Sequence, residues 1–231
     1  YGLADVYKRP SVRAVAAGSD FAAEQLVGDG PATLILVAPE SDAERYAPLF
    51  TAIVASVVRA AEAKAATAGG PIDPRLLLAL DEAGNTFRFP RLASLLATAR
   101  GNGIQVLAVY HDLSQLERLY GREQARTVVS NARMRMLLPG VGDLETLRYF
   151  AELLGRARTE QRNITRARDG HTSTSTGETS VDLAPVHALQ QLPTGAAVAQ
   201  YTNLPPRRVR LRFCFRDRAL RSLMDVEEVS A

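Results

Sequence analysis

The chain has 231 residues, of which 46% are hydrophobic, so it can bury a sizeable core as one α/β domain or one domain with an appendage. Its formal net charge is only +3, but Lys8 and Lys64 are the sole lysines among 28 basic residues, and arginine-rich chains favour a polyanionic partner without requiring one. The single cysteine, Cys214, excludes a disulfide within the chain and a zinc site of several thiolates, and favours a reducing compartment.

Membrane insertion of this chain is not indicated by the sequence. The longest weakly polar window, residues 47–58, is too short to span a bilayer, and no signal-peptide pattern is present. Residues 1–30 are interrupted by proline and glycine, so we expect an irregular lead-in, the tail of a segment inserted earlier in a longer protein.

A β-α-β unit is predicted next. Residues 33–38 predict a buried strand, and a capping box at residues 41–44 predicts a helix to about Ala65. The run of leucines at residues 76–80 has no polar face, which predicts a strand of a parallel sheet covered by helices on both sides. The crossover between the two strands should be right-handed.

Two carboxylates, Asp81 and Glu82, directly follow that second strand. Ligands of parallel sheets bind at the carboxyl ends of the strands. In nucleotide hydrolases an acid at this place holds Mg²⁺, and a following glutamate orients or deprotonates the attacking water. Since successive strand residues point to opposite faces, we expect the two carboxylates to be aimed differently. Alternatively, Asp81 only starts a turn and Glu82 caps the next helix; the pattern alone does not decide between these interpretations.

The rest of the chain continues the alternation of strands and helices, which predicts an α/β fold with a mostly parallel sheet, helices on both faces and C-terminal antiparallel strands. Residues 156–182, rich in Arg, Ser and Thr, are expected to form a mobile loop. The other predicted elements are helices at 91–100, 113–119, 121–131, 144–154 and 184–191, and strands at 104–110, 134–138, 197–202 and 207–216.

The order of these parts resembles the TraG/TraD-like coupling proteins, the conjugative DNA-transfer ATPases of type IV secretion systems. The residues that carry the resemblance are 80–85 (Leu-Asp-Glu-Ala-Gly-Asn), 98–104, 112–116, 120–121 and 130–131. The resemblance implies a RecA-like P-loop NTPase core, a hexameric ring, ATP and Mg²⁺ as cofactors, and a cytoplasmic domain of a protein anchored in the bacterial inner or cell membrane. The implied partners are DNA, relaxase or relaxosome proteins and secretion channel components.

The phosphate loop of that family, G-x-x-x-x-G-K-[ST], does not occur in this sequence. Backbone amides and a lysine of such a loop hold the β- and γ-phosphates. We therefore expect this chain to be the C-terminal part of a longer protein and to be inactive alone. Within it we expect a core at 31–155 and, at 183–231, the strands that complete this core.

The resemblance also implies roles for single residues. By position, Asp81 would be the Mg²⁺ acid and Glu82 the water-activating acid of the Walker B motif. Arg100 falls where the family has an arginine that reaches the neighbouring subunit's nucleotide; alternatively it complements a helix dipole. His111 stands at the end of the sensor strand, where the family usually has a glutamine. The resemblance implies that this position senses the nucleotide, but a histidine there departs from the family's pattern.

Nucleic-acid contacts are predicted less specifically. Either an arginine-rich segment lines a DNA-translocating pore or it is an ordinary solvated linker; its arginines are Arg156, Arg158, Arg162, Arg166 and Arg168. The main functional hypothesis is a motor that drives DNA with attached protein toward a secretion channel. The alternatives are a non-hydrolysing docking module that recruits a relaxase or channel component, and a related DNA pump of the chromosome-segregation type.

Overall fold

The computed structural model describes residues 21–86, 88–166 and 172–223, and has an α/β fold. The chain divides into two compact units, Tyr1–Ala132 and Arg133–Ala231. The core expected at 31–155 therefore extends over the boundary between the two units, and the lead-in expected at residues 1–20 lies outside the described residues.

Helices and strands alternate in the first unit, after two short 3-10 helices at Ala23–Val27 and Glu40–Asp42. Its elements are α1 (Ala43–Ala68), β1 (Leu76–Leu80), α2 (Ala83–Thr86), α3 (Leu92–Thr98), β2 (Ile104–Ala108), α4 (Leu113–Tyr120) and α5 (Arg122–Asn131). The second unit contains β3 (Met134–Leu137), α6 (Leu144–Leu154), β4 (Arg156–Arg166), β5 (Thr172–Asp182), α7 (Val186–Gln190), β6 (Ala196–Tyr201), β7 (Arg207–Arg210) and α8 (Arg218–Arg221).

The long helix α1 forms as predicted, but it begins one residue later than the capping box at residues 41–44 requires, with Asp42 and not Ser41 at the N-cap position. The Asp42 carboxylate makes no capping hydrogen bond and instead pairs with Arg45 in the first turn, Nη1 to Oδ1 3.2 Å. Near the other end, the ammonium of Lys64 donates to the carbonyl of Val27 at 2.7 Å and to Asp29 Oδ1 at 2.9 Å. One of the two lysines of the chain thus ties α1 to the segment that precedes it.

The strand predicted at residues 33–38 is not formed. These residues belong to no described sheet, and the side chains of Ile35 and Val37 are exposed, whereas Leu36 packs against the core. The β-branched composition favours extended backbone, but a strand also needs a hydrogen-bonded neighbour. No described strand lies beside residues 33–38, which is why the prediction is wrong for this chain.

The parallel sheet of the first unit is formed by β1 and β2, in register from Leu76 opposite Ile104 to Leu80 opposite Ala108. One face of this pair packs on a core that includes residues of α1, α3, α4 and α5. The other face is open, because Leu77 and Leu107 remain 59% and 56% exposed. The parallel pairing is as predicted, but within the described ranges helices do not cover both faces as expected.

The second unit is built on an antiparallel sheet of the order β3-β6-β7. Its core consists of Leu137, Leu147, Phe150, Leu189 and Val198. The Asp143 carboxylate caps α6 by accepting from the Thr146 amide at 2.8 Å. The last strand is shorter than predicted: it ends at Arg210, and the chain turns at residues 214–216, where the Arg216 amide donates to the Phe213 carbonyl at 2.9 Å.

Residues 156–182, expected to form an irregular loop, instead contain a long antiparallel hairpin. Strand β4 pairs with β5 from Arg156 opposite Asp182 to Arg166 opposite Thr172. The segment lacks the apolar alternation by which a half-buried strand is recognised, but threonine has high strand propensity and cross-strand Thr and Ser pairs stabilise a ladder. The expectation of irregular structure is thus wrong for both strands, while mobility of the segment stays a prediction.

Among the helices of the described ranges, none has both the length and the apolar character that crossing a membrane requires.

Two glycines of the first unit provide a test of this packing. Gly103 and Gly69 both have a positive φ, 76° and 68°. A Cβ on Gly103 would lie 2.6 Å from the Ile72 carbonyl oxygen, whereas a Cβ on Gly69 would meet nothing within 4 Å. Gly103→Ala should therefore lower the free energy of unfolding by about 1 to 3 kcal/mol more than Gly69→Ala, measured by urea denaturation of the chain. Equal losses would show that the turn before β2 relaxes without cost.

Candidate active site

The two carboxylates lie in a turn at the carboxyl end of β1, held at both ends by one residue of the neighbouring strand. The Leu80 carbonyl accepts from the Val109 amide at 2.9 Å, and the Ala83 amide donates to the Val109 carbonyl at 3.1 Å. Asp81 and Glu82 therefore lie outside the strand ladder and are exposed. The directions of the two side chains were expected to follow from strand alternation, but they are set by this turn.

Glu82 has a left-handed backbone, with φ 46°. This conformation is uncommon for residues other than glycine, and such residues concentrate at functional sites. The Asp81 carboxylate supports the turn, because its Oδ1 accepts from the Glu82 amide at 3.0 Å. The acid pair is thus held by a local hydrogen bond and by the two bonds of its ends to Val109.

The end of β2 continues into His111, which is exposed, and into the first turn of α4. Asp112 caps this helix: its Oδ1 accepts from the Gln115 amide at 2.6 Å. The side chain of Gln115 reaches back, and its Oε1 accepts from the His111 amide at 2.9 Å. In an ordinary capping box the third helical residue bonds to the amide of the cap itself. Here that bond goes to the residue before the cap.

Gln115 also contacts the acid turn. It is only 5% exposed, and a Cβ on Gly84 would overlap its side-chain amide. Gly84 lies two residues after Glu82, in the short helix α2. The side chain of Gln115 thus lies between the backbone after the acid pair and the backbone of His111. The structure brings Asp81, Glu82 and His111 to one end of the parallel pair.

Tyr110 also lies at this strand end. Burial, and secondarily its neighbour Tyr120, raise the pKa of Tyr110 above its ordinary range. Its hydroxyl is therefore neutral at physiological pH, and the carboxylates at this strand end are those of Asp81, Glu82 and Asp112.

The donor set at this strand end suits Mg²⁺ better than a metal held by protein ligands alone. In the part of the chain that the structure describes, no group of three His, Cys, Asp or Glu side chains could hold a metal ion. Mg²⁺ is usually bound by one or two carboxylates together with phosphate oxygens and waters. Two adjacent exposed carboxylates, Asp81 and Glu82, fit that requirement.

Arg100 is not part of this cluster. It lies in the turn after α3, where its carbonyl accepts from the Gly103 amide at 3.2 Å, and it is exposed. That turn leads into the amino end of β2, whereas the carboxylates follow the carboxyl end of β1. The two positions are separated by a strand of five residues, or about 16 Å. Within one chain, Arg100 and the acid pair therefore lie at opposite edges of the sheet.

The arginines of the hairpin are in part neutralised. Arg156 Nε lies 2.7 Å from Asp182 Oδ1, and Arg158 Nη1 lies 3.8 Å from Glu178 Oε2. The backbones of Arg162 and Arg166 lie in β4, but their side chains are outside the described residues, as is the whole of Arg168.

A second group of arginines lies at the end of the second unit. Arg207, Arg208 and Arg210 of β7 are exposed and have no carboxylate partner among the residues that the structure describes. Further along, Arg216 lies 5.6 Å from the ring centres of two phenylalanines, Phe213 and Phe215.

Asp217, the acidic residue nearest to β7 in the sequence, is already paired with another arginine. Arg212 Nε contacts Asp217 Oδ2 at 2.6 Å, and this guanidinium lowers the pKa of Asp217. Among the residues that the structure describes, no carboxylate therefore compensates the positive charge of the β7 arginines.

Three residues of the site were not identified from the sequence as parts of it. Val109 acts through its backbone, so its side chain gives no indication. Gly84 is needed for a close approach that only the fold creates. Gln115, in contrast, could have been found, because Asp112 followed three positions later by a glutamine has the spacing of a capping box.

Comparison with known proteins agrees with the resemblance. The sequence model of a protein family described as the TraM recognition site of TraD and TraG matches residues 75–194, just over half of the chain. These residues include the acid turn, His111, Gln115 and the hairpin. No curated protein sequence matches the chain.

Solved structures of a bacterial conjugative coupling protein, TrwB, have a similar fold. The unbound monoclinic form of TrwBdeltaN70 gives a TM-score of 0.67 at 23% identity, over 84% of this chain and 44% of that one. TrwB in complex with ADP and Mg²⁺ gives 0.64 at 23% identity, and TrwB with the non-hydrolysable ATP analogue ADPNP gives 0.61 at 22% identity, each over 84% of this chain and 43% of that one. The chain thus spans less than half of the length of these proteins.

Proposed function

This chain belongs to the TraD and TraG family, and from that premise we propose that it is the C-terminal part of the motor of a coupling protein. In this proposal the full-length protein has a RecA-like P-loop core, assembles as a hexamer and is anchored in the bacterial membrane. It uses ATP hydrolysis to drive DNA, with attached protein, into a type IV secretion channel.

One observation carries this proposal: two exposed carboxylates are held in a fixed turn at the carboxyl end of a parallel strand pair. The turn is bracketed by the two bonds to Val109 and contains a left-handed Glu82. A structural turn needs neither two adjacent acids nor a strained glutamate. Both features are expected where a carboxylate must have a defined position relative to a bound phosphate.

The residues of the site have separate roles in the proposal. Asp81 holds Mg²⁺, directly or through water, and Glu82 accepts a proton from the attacking water or orients it. The bound metal neutralises charge on the phosphate oxygens. His111 lies at the end of the adjacent strand, and its imidazole can donate a hydrogen bond toward a terminal phosphate. The TrwB complexes with ADP and Mg²⁺ and with an ATP analogue support these cofactors for the full-length protein.

Arg100 acts on a neighbouring subunit in this proposal. It lies at the edge of the sheet opposite the acid pair, so it cannot reach a nucleotide held by Asp81 of its own chain. In a ring, however, the amino edge of one subunit's sheet can face the carboxyl edge of the next. A guanidinium placed there would stabilise charge on the transferring phosphoryl group, a contribution of about 10³- to 10⁵-fold in rate.

DNA contact is assigned by charge. The two hairpin arginines with described side chains, Arg156 and Arg158, have carboxylate partners, whereas those of β7 have none within the described ranges of the chain. Counterions are released from the phosphate backbone when arginines neutralise it, and an arginine already paired with a carboxylate contributes less to this release. We therefore place a single-stranded DNA contact at Arg207, Arg208 and Arg210, in addition to any contact made by the hairpin.

The alternative function, a docking module, is favoured by one specific observation. The family model that matches residues 75–194 is described as a recognition site for TraM, which makes a relaxosome protein the partner to test first. Docking and hydrolysis are compatible in one protein. A module that only docks, however, would have no need of Glu82, so the first experiment below separates the two functions.

In the full-length protein, we expect Glu82→Gln to abolish ATP turnover while leaving nucleotide binding nearly intact, because an amide fills the space but accepts no proton. Asp81→Asn should instead weaken Mg²⁺-dependent binding. Steady-state hydrolysis and calorimetric titration with Mg·ATP measure the two effects. Turnover of Glu82→Gln equal to that of the parent would exclude the motor assignment of this glutamate and favour docking.

Mixed rings test the position of Arg100. Arg100→Ala and Glu82→Gln subunits should each be inactive alone. When the two are mixed, some interfaces pair an intact Glu82 with an intact Arg100 of the neighbour, and activity should return in part. If rings shown by mass to be mixed remain inactive at every ratio, Arg100 acts within its own subunit or only supports the helix end.

The salt dependence of single-stranded DNA binding tests the arginines of β7. Replacing Arg207, Arg208 and Arg210 by alanine should reduce the slope of log K against log salt by about 2, at about 0.7 for each lost phosphate contact. The double variant Arg156→Ala, Arg158→Ala is the matched control, since the same type of charge is removed where carboxylates already compensate it. A larger effect of the control than of the β7 variant would move the contact to the hairpin.

A further inference from the structure

A buried glutamine of the first unit lies between the two strand ends that carry the candidate site. Gln115 is 5% exposed, although its side chain is a polar amide with no place in the proposed chemistry. Buried amides are usually retained where their hydrogen bonds are satisfied and their position is fixed. Its contacts therefore indicate what it positions.

The first contact is with the end of β2. Gln115 Oε1 accepts from the His111 amide at 2.9 Å, and the Gln115 backbone amide is itself held by Asp112 Oδ1 at 2.6 Å. The helix cap thus fixes the glutamine, and the glutamine fixes the backbone from which the His111 side chain extends. A residue without an acceptor at this place would remove this hydrogen bond from the His111 amide.

The second contact is with the acid turn. The amide of Gln115 lies against the Cα of Gly84, so closely that any side chain there would displace it. Gly84 is helical and is not among the glycines with positive φ, so its backbone would accept alanine. Contact with Gln115, and not conformation, is therefore what requires a glycine two residues after Glu82.

We infer that Gln115 is a positioning residue for hydrolysis: it sets the separation between His111 and the Asp81–Glu82 turn by bonding to the one and packing against the other. The inference rests on the proposed function for its effect on turnover. Its structural content, the link between two strand ends, stands apart from that function and can be measured separately.

Four variants of the full-length protein test this role. Gln115→Met keeps the length of the side chain and removes the acceptor for the His111 amide. Gly84→Ala pushes the amide of Gln115 away. Gln115→Ala removes the group with which the new methyl collides, and the double variant Gly84→Ala, Gln115→Ala is compared with it. Gln124→Met is the matched control, because Gln124 is exposed on α5.

We expect Gln115→Met and Gly84→Ala each to lower kcat by about 10- to 100-fold, the usual effect of a displacement of about 1 Å at a reacting centre. KM for ATP should change less than about twofold, and Gln124→Met should match the parent. Adding Gly84→Ala to Gln115→Ala should cost little more, because residues in contact are not additive. Full additivity, or an unchanged kcat with only a lower melting temperature, would overturn the inference.

Hydrogen exchange distinguishes failure of this inference from failure of the proposed function. In Gln115→Met, the peptide that contains His111 should exchange at least about tenfold faster than in the parent, with no change in β1. If the parent hydrolyses no ATP, the motor proposal fails and the exchange result alone judges the link. Unchanged exchange at His111 would overturn the positioning role whether or not the parent is active.

Discussion

The two hydrogen bonds that Val109 makes with Leu80 and Ala83 determine where the carboxylates of this protein lie. These two bonds reach residues that are three apart in the chain, whereas a regular parallel ladder would join Val109 to residues two apart, so Asp81 and Glu82 leave the sheet as a turn. The left-handed Glu82, the bond from its amide to Asp81, and the close approach of Gly84 to Gln115 are all local consequences. The chemistry proposed for the acid pair therefore depends on backbone pairing of two parallel strands more than on any side chain near it.

The two ends of the parallel strands carry different groups. The carboxyl edge collects the groups that can hold a metal, activate a water and touch a phosphate, whereas the amino edge carries Arg100, about a strand length away. In the proposed function, a sheet that keeps Arg100 a strand length from the acid pair completes the catalytic site only by assembly. That proposal makes the need for a neighbouring subunit a consequence of the topology and couples turnover to the presence of a complete ring.

Much of the fold could be predicted, because its elements have local causes. The leucine run of β1, the capping aspartates Asp112 and Asp143, and the glycines that end helices are all readable from sequence. Three predictions failed for non-local reasons. Residues 33–38 have strand composition but no paired neighbour, the polar hairpin of β4 and β5 lacks an apolar pattern, and the acid pair is aimed by a hydrogen-bonded turn. In the site, Asp81 and Glu82 could be predicted because two adjacent carboxylates follow an apolar strand. Val109, which acts through its backbone, and Gly84, which is needed for a close approach, could be identified only from the fold.

The open face of the β1–β2 pair bears on how the stability of this chain is to be measured. Leu77 and Leu107, together with the exposed Ile35 and Val37, are apolar surface left in water by the folded state. Any surface that covers them binds the native state and not the unfolded chain, and so raises the melting temperature by mass action. The melting temperature of the chain by itself is therefore a lower bound, and it should rise with protein concentration if copies of the chain cover this face for one another.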